Sequence, residues 1–342
     1  MENFKNLKTP KKIKPLGNTS PWCWVIEVAF GCNLRCGHCC AVLIPEEQKP
    51  HKTLDPKANA ELMTFDTWCS TWEILNRVSP TVRVDLAGIV GEPTMHPNLT
   101  EWLSVARKLA PLAQIQITTN GTMLLKEKVK YKELLDAGAN IVYTDRYGKD
   151  SIFEKLAIES KYPYYEYYNK PKEYPSPWTY HGPDLKMIVL MDPPYKWPKT
   201  RYNANLLGNW FGNLDWKKGE KYGMKPLEEP IKRRCNQPFL YVSVGSNGNY
   251  LLCCQDGMHT TSGMFGNVSE GVEGFRHFWY GENMQIIRRK LRNGDRASLK
   301  DSCAKCNITF SRSDFRHWQE KQMNIFYDDG KWKNFEEKYV GN

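Results

Sequence analysis

The chain has 342 residues, 41% of them hydrophobic and 25% charged, and a formal net charge of +10. This length suits one large domain or a large domain with a small one, and the apolar fraction allows a sizeable core. No apolar run approaches the ~20 residues of a membrane-spanning helix, and residues 1–20 lack the apolar stretch of a secretory signal. We therefore expect a cytoplasmic protein without a membrane partner, whose cysteines bind metal rather than form disulfides.

Lysines crowd the segment 1–21, which we expect to be a basic arm outside the folded core. Such an arm can bind nucleic acid or an acidic partner. A solvated tail explains the same composition more simply, so nucleic acid is not an expected partner.

Strand-like and helix-like stretches alternate between residues 22 and 192, which we expect to form the main domain. The predicted strands span residues 23–29, 82–87, 114–118, 140–143, 164–168 and 186–191, and the predicted helices span 65–77, 99–109, 125–136 and 151–160. Apolar strands separated by amphipathic helices indicate βα units and a parallel sheet. The loops that follow such strands meet at one edge of the sheet. That edge is expected to collect Cys32, Glu92, Asn120 and Asp145.

A second compact unit is predicted over residues 235–310. Its strands are expected at 240–244 and 250–253, joined by the turn Ser246-Asn247-Gly248-Asn249, and a helix is expected at 273–291. The remaining segments are an insertion expected to cover the site, a linker and a polar tail, at residues 40–63, 193–234 and 311–342.

Three cysteines with C-x3-C-x2-C spacing, Cys32, Cys36 and Cys39, follow the first predicted strand. Three thiolates on a short loop can hold three irons of a four-iron cube, which leaves the fourth iron open to an activated ligand. A zinc knuckle is the alternative, although zinc sites usually pair one C-x2-C with a second pair of ligands.

This loop resembles the signature of radical S-adenosylmethionine (radical SAM) enzymes. The resemblance implies a [4Fe–4S] cluster on Cys32, Cys36 and Cys39 that binds S-adenosylmethionine and splits it into a 5′-deoxyadenosyl radical. The family usually has an aromatic residue before the third cysteine. Here His38 occupies that position and is expected to contact the adenine, whereas Cys40 is interpreted as a packed thiol.

The segment from Gly88 to Pro93 is similar to the family's glycine–glutamate–proline motif, with one residue more between the glycines than in G-x-G-E-P. The resemblance implies that Gly91, Glu92 and Pro93 bind the cofactor near its methionyl ammonium, where a glycine lets the backbone approach closely. Taken alone, the three residues Gly91-Glu92-Pro93 would indicate a simple turn.

Two further strand ends carry polar residues. The segment from Thr118 to Thr122 is similar to the family's T-N-G form, which implies that Asn120 lies at the cofactor, while a simple strand-to-helix turn is the alternative. Asp145 and Arg146 follow the next strand. They are candidates either for binding polar groups of cofactor or substrate or for an ion pair at the rim.

A second set of cysteines, Cys235, Cys253, Cys303 and Cys306, has the arrangement C-x17-C followed by C-x2-C. The sequence segments around these four cysteines resemble the C-terminal extension called SPASM, or its shortened form called twitch. Such extensions hold auxiliary [4Fe–4S] clusters. No cysteine follows Cys306, which fits one auxiliary cluster. Four thiolates would close its coordination and suit it to electron transfer.

Two points about this second set stay open. Cys254 adjoins Cys253 and is the rival ligand, since neighbouring strand residues face opposite ways. We favour Cys253. A four-cysteine zinc ribbon is the alternative to a cluster.

Together the motifs predict an α/β fold, a partial (β/α)6 TIM-type barrel with a small C-terminal β-hairpin/helix domain for the auxiliary cluster. The predicted function is that of a radical SAM oxidoreductase with two [4Fe–4S] clusters. It would abstract a hydrogen atom from a small molecule or a peptide, with the auxiliary cluster as electron acceptor and a flavodoxin or ferredoxin as external donor. The alternative is a non-catalytic protein that binds zinc and nucleic acid. The sequence identifies no catalytic base.

Overall fold

The computed structural model describes residues 21–36, 39, 61–87, 90–167, 180–191, 217, 235, 237–299 and 302–306. The expectations for His38, Cys40, the basic arm, the linker and the tail fall wholly or almost wholly outside these residues. The domain boundaries proposed from the sequence stay predictions.

The described strands form one sheet of eight strands and one of two. They are β1 (Cys23–Ile26), β2 (Ala29–Phe30), β3 (Glu61–Leu62), β4 (Arg83–Ala87), β5 (Gln114–Thr119), β6 (Ile141–Asp145), β7 (Tyr164–Glu166), β8 (Met187–Met191), β9 (Tyr241–Val244) and β10 (Tyr250–Leu251). The large sheet has the order β10-β9-β1-β4-β5-β6-β8-β7, and β2 pairs with β3. Within this sheet, all neighbouring strands from β9 to β7 are parallel. Only β10 runs antiparallel to its neighbour, β9.

Nine α-helical segments accompany the strands in the described part of the chain. They are α1 (Phe65–Val78), α2 (Leu99–Leu109), α3 (Thr122–Leu125), α4 (Tyr131–Ala137), α5 (Asp150–Ser160), α6 (Gln237–Leu240), α7 (Gly271–Tyr280), α8 (Glu282–Arg292) and α9 (Ser302–Lys305). The first begins where the Thr64 hydroxyl accepts a hydrogen bond from the Thr67 amide at 3.3 Å.

The longer helices pack against one face of the large sheet. Trp24, Val84 and Ile115 point from successive strands into this helix-covered core. The alternate positions Asp85 and Gln116 are buried on the opposite face, and both are polar. The same face also carries apolar residues, which include Val25 and Ile141. Helices on one side only are expected of the wall of a βα barrel rather than of a doubly wound sheet. The predicted α/β class is confirmed, with the described strands forming an open wall whose edges are β7 and β10.

The predicted C-terminal hairpin is present, and it extends the main sheet. Strand β9 pairs in parallel with β1, and Trp24 on β1 stacks on Phe275 of α7 with ring centroids 5.4 Å apart. The segment that carries the second cysteine set is therefore anchored directly on the strand that leads into the first set.

Two helix predictions need correction. The helix expected at 273–291 is divided at Gly281, where an added Cβ would lie 1.9 Å from the His277 carbonyl oxygen. The backbone of Gly281 is extended, which ends α7 before α8 begins. The helix expected at 125–136 is likewise two pieces, α3 and α4.

A buried carboxylate ties these parts together. Glu27 follows β1, and its Oε2 lies 2.6 Å from Nε2 of His259 in the C-terminal unit. Its Oε1 accepts a hydrogen bond from the Val90 amide at 3.1 Å. Burial opposes a charged imidazole at His259, but the hydrogen bond and charge of Glu27, with the carboxylates of Asp256 and Glu61, outweigh it and raise the pKa of His259.

No helix in the described ranges has both the length and the apolar character needed to cross a membrane.

The raised pKa of His259 predicts a pH-dependent stability. The Glu27–His259 pair contributes fully below the unfolded histidine pKa of about 6.5, and its contribution is lost as pH rises through the higher folded pKa. The stability advantage of the native chain over His259→Gln should therefore be smaller at about pH 9 than at about pH 6. Denaturant unfolding of both chains across this range measures the difference. A constant advantage for the native chain would contradict the ion pair.

Candidate functional site

The three loop cysteines lie beyond β2, at the edge of the sheet where the parallel strands end. The Cys39 amide donates to the Cys36 carbonyl at 2.9 Å, which closes a turn between the second and third thiols. Burial raises the pKa of Cys32 to about 12, and the negative charges of Glu92, Cys39 and Cys36 add to this. Cationic metal would reverse this effect, because a coordinated thiol is held as the thiolate.

Hydrogen-bond donors surround these sulfurs. The Leu34 amide and the Asn120 side-chain amide each donate to Cys32 Sγ at 3.4 Å. The Tyr147 phenol donates to Cys36 and opposes the rise in that thiol's pKa that burial causes. Iron–sulfur clusters are commonly supported by such bonds to sulfur, so the donor set fits a cluster held by three thiolates. Sequence reasoning missed Tyr147, since no spacing links it to the cysteines.

Asn120 holds the cysteine loop against the end of β5. Its side-chain nitrogen also donates to Asn33 Oδ1 at 3.0 Å, and its oxygen accepts from the Thr122 amide at 3.0 Å. Asn33 in turn donates to the Thr122 hydroxyl at 2.6 Å. The sequence left a simple turn as the alternative for Asn120, and the structure shows a turn whose side chain also touches the first cysteine.

Glu92 is buried between the ends of two strands. Its carboxylate accepts hydrogen bonds from the Thr119 hydroxyl at 2.6 Å, from the Asn120 amide at 2.7 Å and from both the amide and the hydroxyl of Thr94. Burial raises the pKa of Glu92, and these hydrogen bonds oppose the rise. The carboxylate thus fixes the loop after β4 to the end of β5. Its contact with a cofactor remains a prediction.

Gly91 is required by the approach of two backbones. A Cβ at this position would lie 1.6 Å from the Ala29 carbonyl oxygen, and the next amide, that of Glu92, donates to the Gly31 carbonyl at 3.0 Å. The glycine was expected to admit a cofactor. In the structure it admits the strand that leads into the cysteine loop, which places Pro93 and its neighbours beside that loop.

Asp145 and Arg146, which the sequence left unresolved, face different surroundings. Arg146 is buried and forms an ion pair with Glu166 at 3.1 Å, so it belongs to the rim. Asp145 lies near Cys36, and burial, with a smaller effect from the charge of Glu92, raises its pKa to about 7. Successive residues along an extended backbone point to opposite faces, which explains why Asp145 and Arg146 have different surroundings.

The second set of cysteines lines one cavity. Cys235, Cys253, Cys303 and Cys306 are each less than 10% exposed. The other lining residues are mostly apolar or uncharged: Gln237, Pro238, Leu252, Gln255, Leu291 and Arg296. Burial raises the pKa of Cys253 well above its usual value, and nearby thiols, including all three of the others in the cavity, add to the shift. Four converging thiols in an apolar cavity are a donor set that fits a fully coordinated cluster.

Cys254 does not line this cavity. Its thiol donates to the side-chain oxygen of Gln237 at 3.2 Å and lies close enough to Cys23 for that thiol to affect its pKa. The structure therefore places Cys253 among the candidate ligands and Cys254 outside that set. The strand expected at 250–253 ends at Leu251, so the two thiols diverge in the turn after β10 rather than along a strand.

Comparisons with known proteins agree with this arrangement. Residues 235–307 match the SPASM family model, described as an iron–sulfur cluster-binding domain. The structure of BtrN in complex with AdoMet and 2-DOIA is similar, with a TM-score of 0.57 and 19% identity over 84% of this chain and 94% of BtrN. BtrN in an open conformation gives a TM-score of 0.52 and 16% identity over 85% and 94%. The expected SPASM-type extension and the expected fold are confirmed.

A curated relative matches a shorter part. It is the tungsten-containing aldehyde ferredoxin oxidoreductase cofactor-modifying protein of Pyrococcus furiosus, 27% identical over 118 residues. The match covers 34% of this chain and 28% of the relative's length.

The position of Glu92 predicts a specific loss of stability. In Glu92→Gln, one acceptor oxygen becomes a donor amide, so at least one buried donor loses its partner at a cost of about 1–3 kcal/mol. Denaturant unfolding of the anaerobically purified chain measures this cost. The control is Glu101→Gln in the exposed first turn of α2, which should change stability by only about 0.5 kcal/mol. Equal effects of the two substitutions would show that Glu92 does not hold the loops together.

Proposed function

We propose that this chain, which has a fold similar to that of BtrN and carries a SPASM iron–sulfur cluster-binding domain, is a radical SAM oxidoreductase. The observation that carries the proposal is the pairing of two thiol sets of different character. One set has three half-buried cysteines at the open edge of a parallel sheet. The other has four buried cysteines around a cavity. The first suits a cluster with an accessible iron, and the second suits a closed cluster.

In this proposal Cys32, Cys36 and Cys39 hold the cluster that binds S-adenosylmethionine, with His38, Gly91 and Pro93 at the cofactor. When bound, that cluster supplies the electron that splits the cofactor into methionine and a 5′-deoxyadenosyl radical, which takes a hydrogen atom from the substrate. The protein's part is to orient these groups and exclude water. Glu92 and Asn120 do so through the hydrogen bonds that join the strand ends to the cysteine loop.

The four cavity cysteines Cys235, Cys253, Cys303 and Cys306 are proposed to ligate the auxiliary cluster. After loss of a hydrogen atom, the substrate radical must lose one more electron and one proton to become a product oxidised by two electrons. A closed, buried cluster on these cysteines would accept that electron without binding the substrate. The external donor that reduces the first cluster is proposed to be a flavodoxin or ferredoxin in the cytoplasm.

A small molecule is the favoured substrate class over a peptide. The support is the similarity to BtrN, which was crystallised with AdoMet and 2-DOIA. The Pyrococcus furiosus relative is described as cofactor-modifying, which also favours modification of a small compound.

Binding of zinc and nucleic acid is the competing function. Four thiols around one cavity are a donor set that zinc also accepts. The competing function shares these ligands with the proposed one, and metal analysis of the purified protein separates the two.

Selective loss of one cluster tests the first site. The native chain, purified anaerobically, should be brown and hold about eight irons and eight sulfides. Cys36→Ala should form no 5′-deoxyadenosine with dithionite and S-adenosylmethionine, and should keep about four irons. Cys69→Ala in α1 is the matched control and should behave as the native chain does. Formation of 5′-deoxyadenosine by Cys36→Ala would refute the ligand assignment, and colourless protein that contains zinc would refute the enzyme.

The reciprocal change tests the second site. Cys303→Ala should lose about four irons and still cleave S-adenosylmethionine when dithionite supplies the electron, because the first cluster lies in the other thiol set. Iron analysis and chromatography of 5′-deoxyadenosine measure both effects. Full retention of iron by Cys303→Ala would contradict the assignment of the four cavity cysteines.

A further inference from the structure

A buried arginine lines the cavity of the four cysteines. Arg296 is 1% exposed, and its Nη1 donates to the Cys306 carbonyl oxygen at 2.6 Å. It follows α8 in the chain and reaches the cavity beside Cys303 and Cys306. The sequence does not predict that Arg296 lies next to the thiols, because there it is one basic residue of a charged segment.

The guanidinium of Arg296 lies beside the thiols, since it lines the same cavity and donates a hydrogen bond to the backbone carbonyl of Cys306. Burying a guanidinium is costly unless negative charge lies close to it. A cube with four thiolates has a net charge of about −2 when oxidised and about −3 when reduced. A cluster in the cavity would place this negative charge beside the buried guanidinium of Arg296.

The surroundings make the interaction strong. The cavity wall near the thiols includes Leu252, Leu291 and Pro238. In such apolar surroundings the effective dielectric constant is far below that of water, and a fixed charge acts over several ångströms. Since the reduced cluster is more negative than the oxidised one, a fixed positive charge stabilises the reduced form more.

We propose that Arg296 is a positioned charge that raises the reduction potential of the auxiliary cluster and so enables it to accept an electron from the substrate radical. This inference rests on the proposed function of the second cysteine set. In this inference Arg296 sets the reduction potential of the auxiliary cluster. No contact between Arg296 and the substrate is required.

The chain provides a matched control in Arg288. This arginine is 2% exposed, and its guanidinium donates to the Pro238 carbonyl at 2.8 Å and to the Trp279 carbonyl at 2.5 Å. It lies over the Trp279 ring, 4.2 Å from the centroid, and does not line the cavity. Its removal tests the general effect of deleting a buried arginine in this unit.

The test is a redox titration of the intact chain followed by electron paramagnetic resonance. The auxiliary signal is the one that S-adenosylmethionine leaves unchanged and that Cys303→Ala lacks. In Arg296→Gln, the ratio of reduced to oxidised auxiliary cluster at a fixed potential should fall at least tenfold, which is 59 mV for a one-electron couple. Arg296→Lys keeps the charge and should stay within about threefold of the native ratio. Arg288→Gln should leave the ratio unchanged.

An unchanged ratio in Arg296→Gln, or an equal fall in Arg288→Gln, would overturn the inference. If Arg296→Gln loses its auxiliary iron, the measurement on Arg296→Lys replaces it. A tenfold fall in the ratio of reduced to oxidised auxiliary cluster in Arg296→Lys would also overturn the inference. Failure of the proposed function looks different, because the native chain would then show no auxiliary signal at all.

Discussion

The parallel pairing of β1 with β9 is the constraint on which the rest of the structure depends. Four residue pairs, from Cys23 with Tyr241 to Ile26 with Val244, join the strand before the first cysteine set to the strand between Cys235 and Cys253 of the second set. Since β1 also pairs with β4 on its other side, it is held in the interior of the sheet. Both thiol sets are thereby placed relative to one strand inside the sheet.

Contacts beyond the end of β1 extend this constraint into the site. The Glu27 carboxylate accepts a hydrogen bond from the Val90 amide, in the loop before Gly91, and its other oxygen pairs with the His259 ring. Gly91 then lies against Ala29, and Glu92 fixes the end of β5. A short series of buried polar contacts therefore runs from the C-terminal unit to the cysteine loop, and every member has a bonded partner, as buried polar groups require.

The sequence predicted what local spacing determines. Cysteine spacing identified both thiol sets, and hydrophobic periodicity placed most strands and helices, because these features depend on neighbouring residues. It missed β3 and joined β1 and β2 into one strand. It did not predict the break at Gly281, the bond from Tyr147 to Cys36 or the place of Arg296 in the cavity. Each of these depends on which distant segments pack together, and β9 beside β1 could not be inferred from either strand alone.

An electron paramagnetic resonance spectrum of the dithionite-reduced chain, recorded with and without S-adenosylmethionine, would distinguish an open cluster from a closed one. We expect two [4Fe–4S] signals, of which one changes shape when S-adenosylmethionine binds at its open iron and the other does not. A single signal, or two signals that are both indifferent to S-adenosylmethionine, would contradict the claim that the two thiol sets hold one open and one closed cluster.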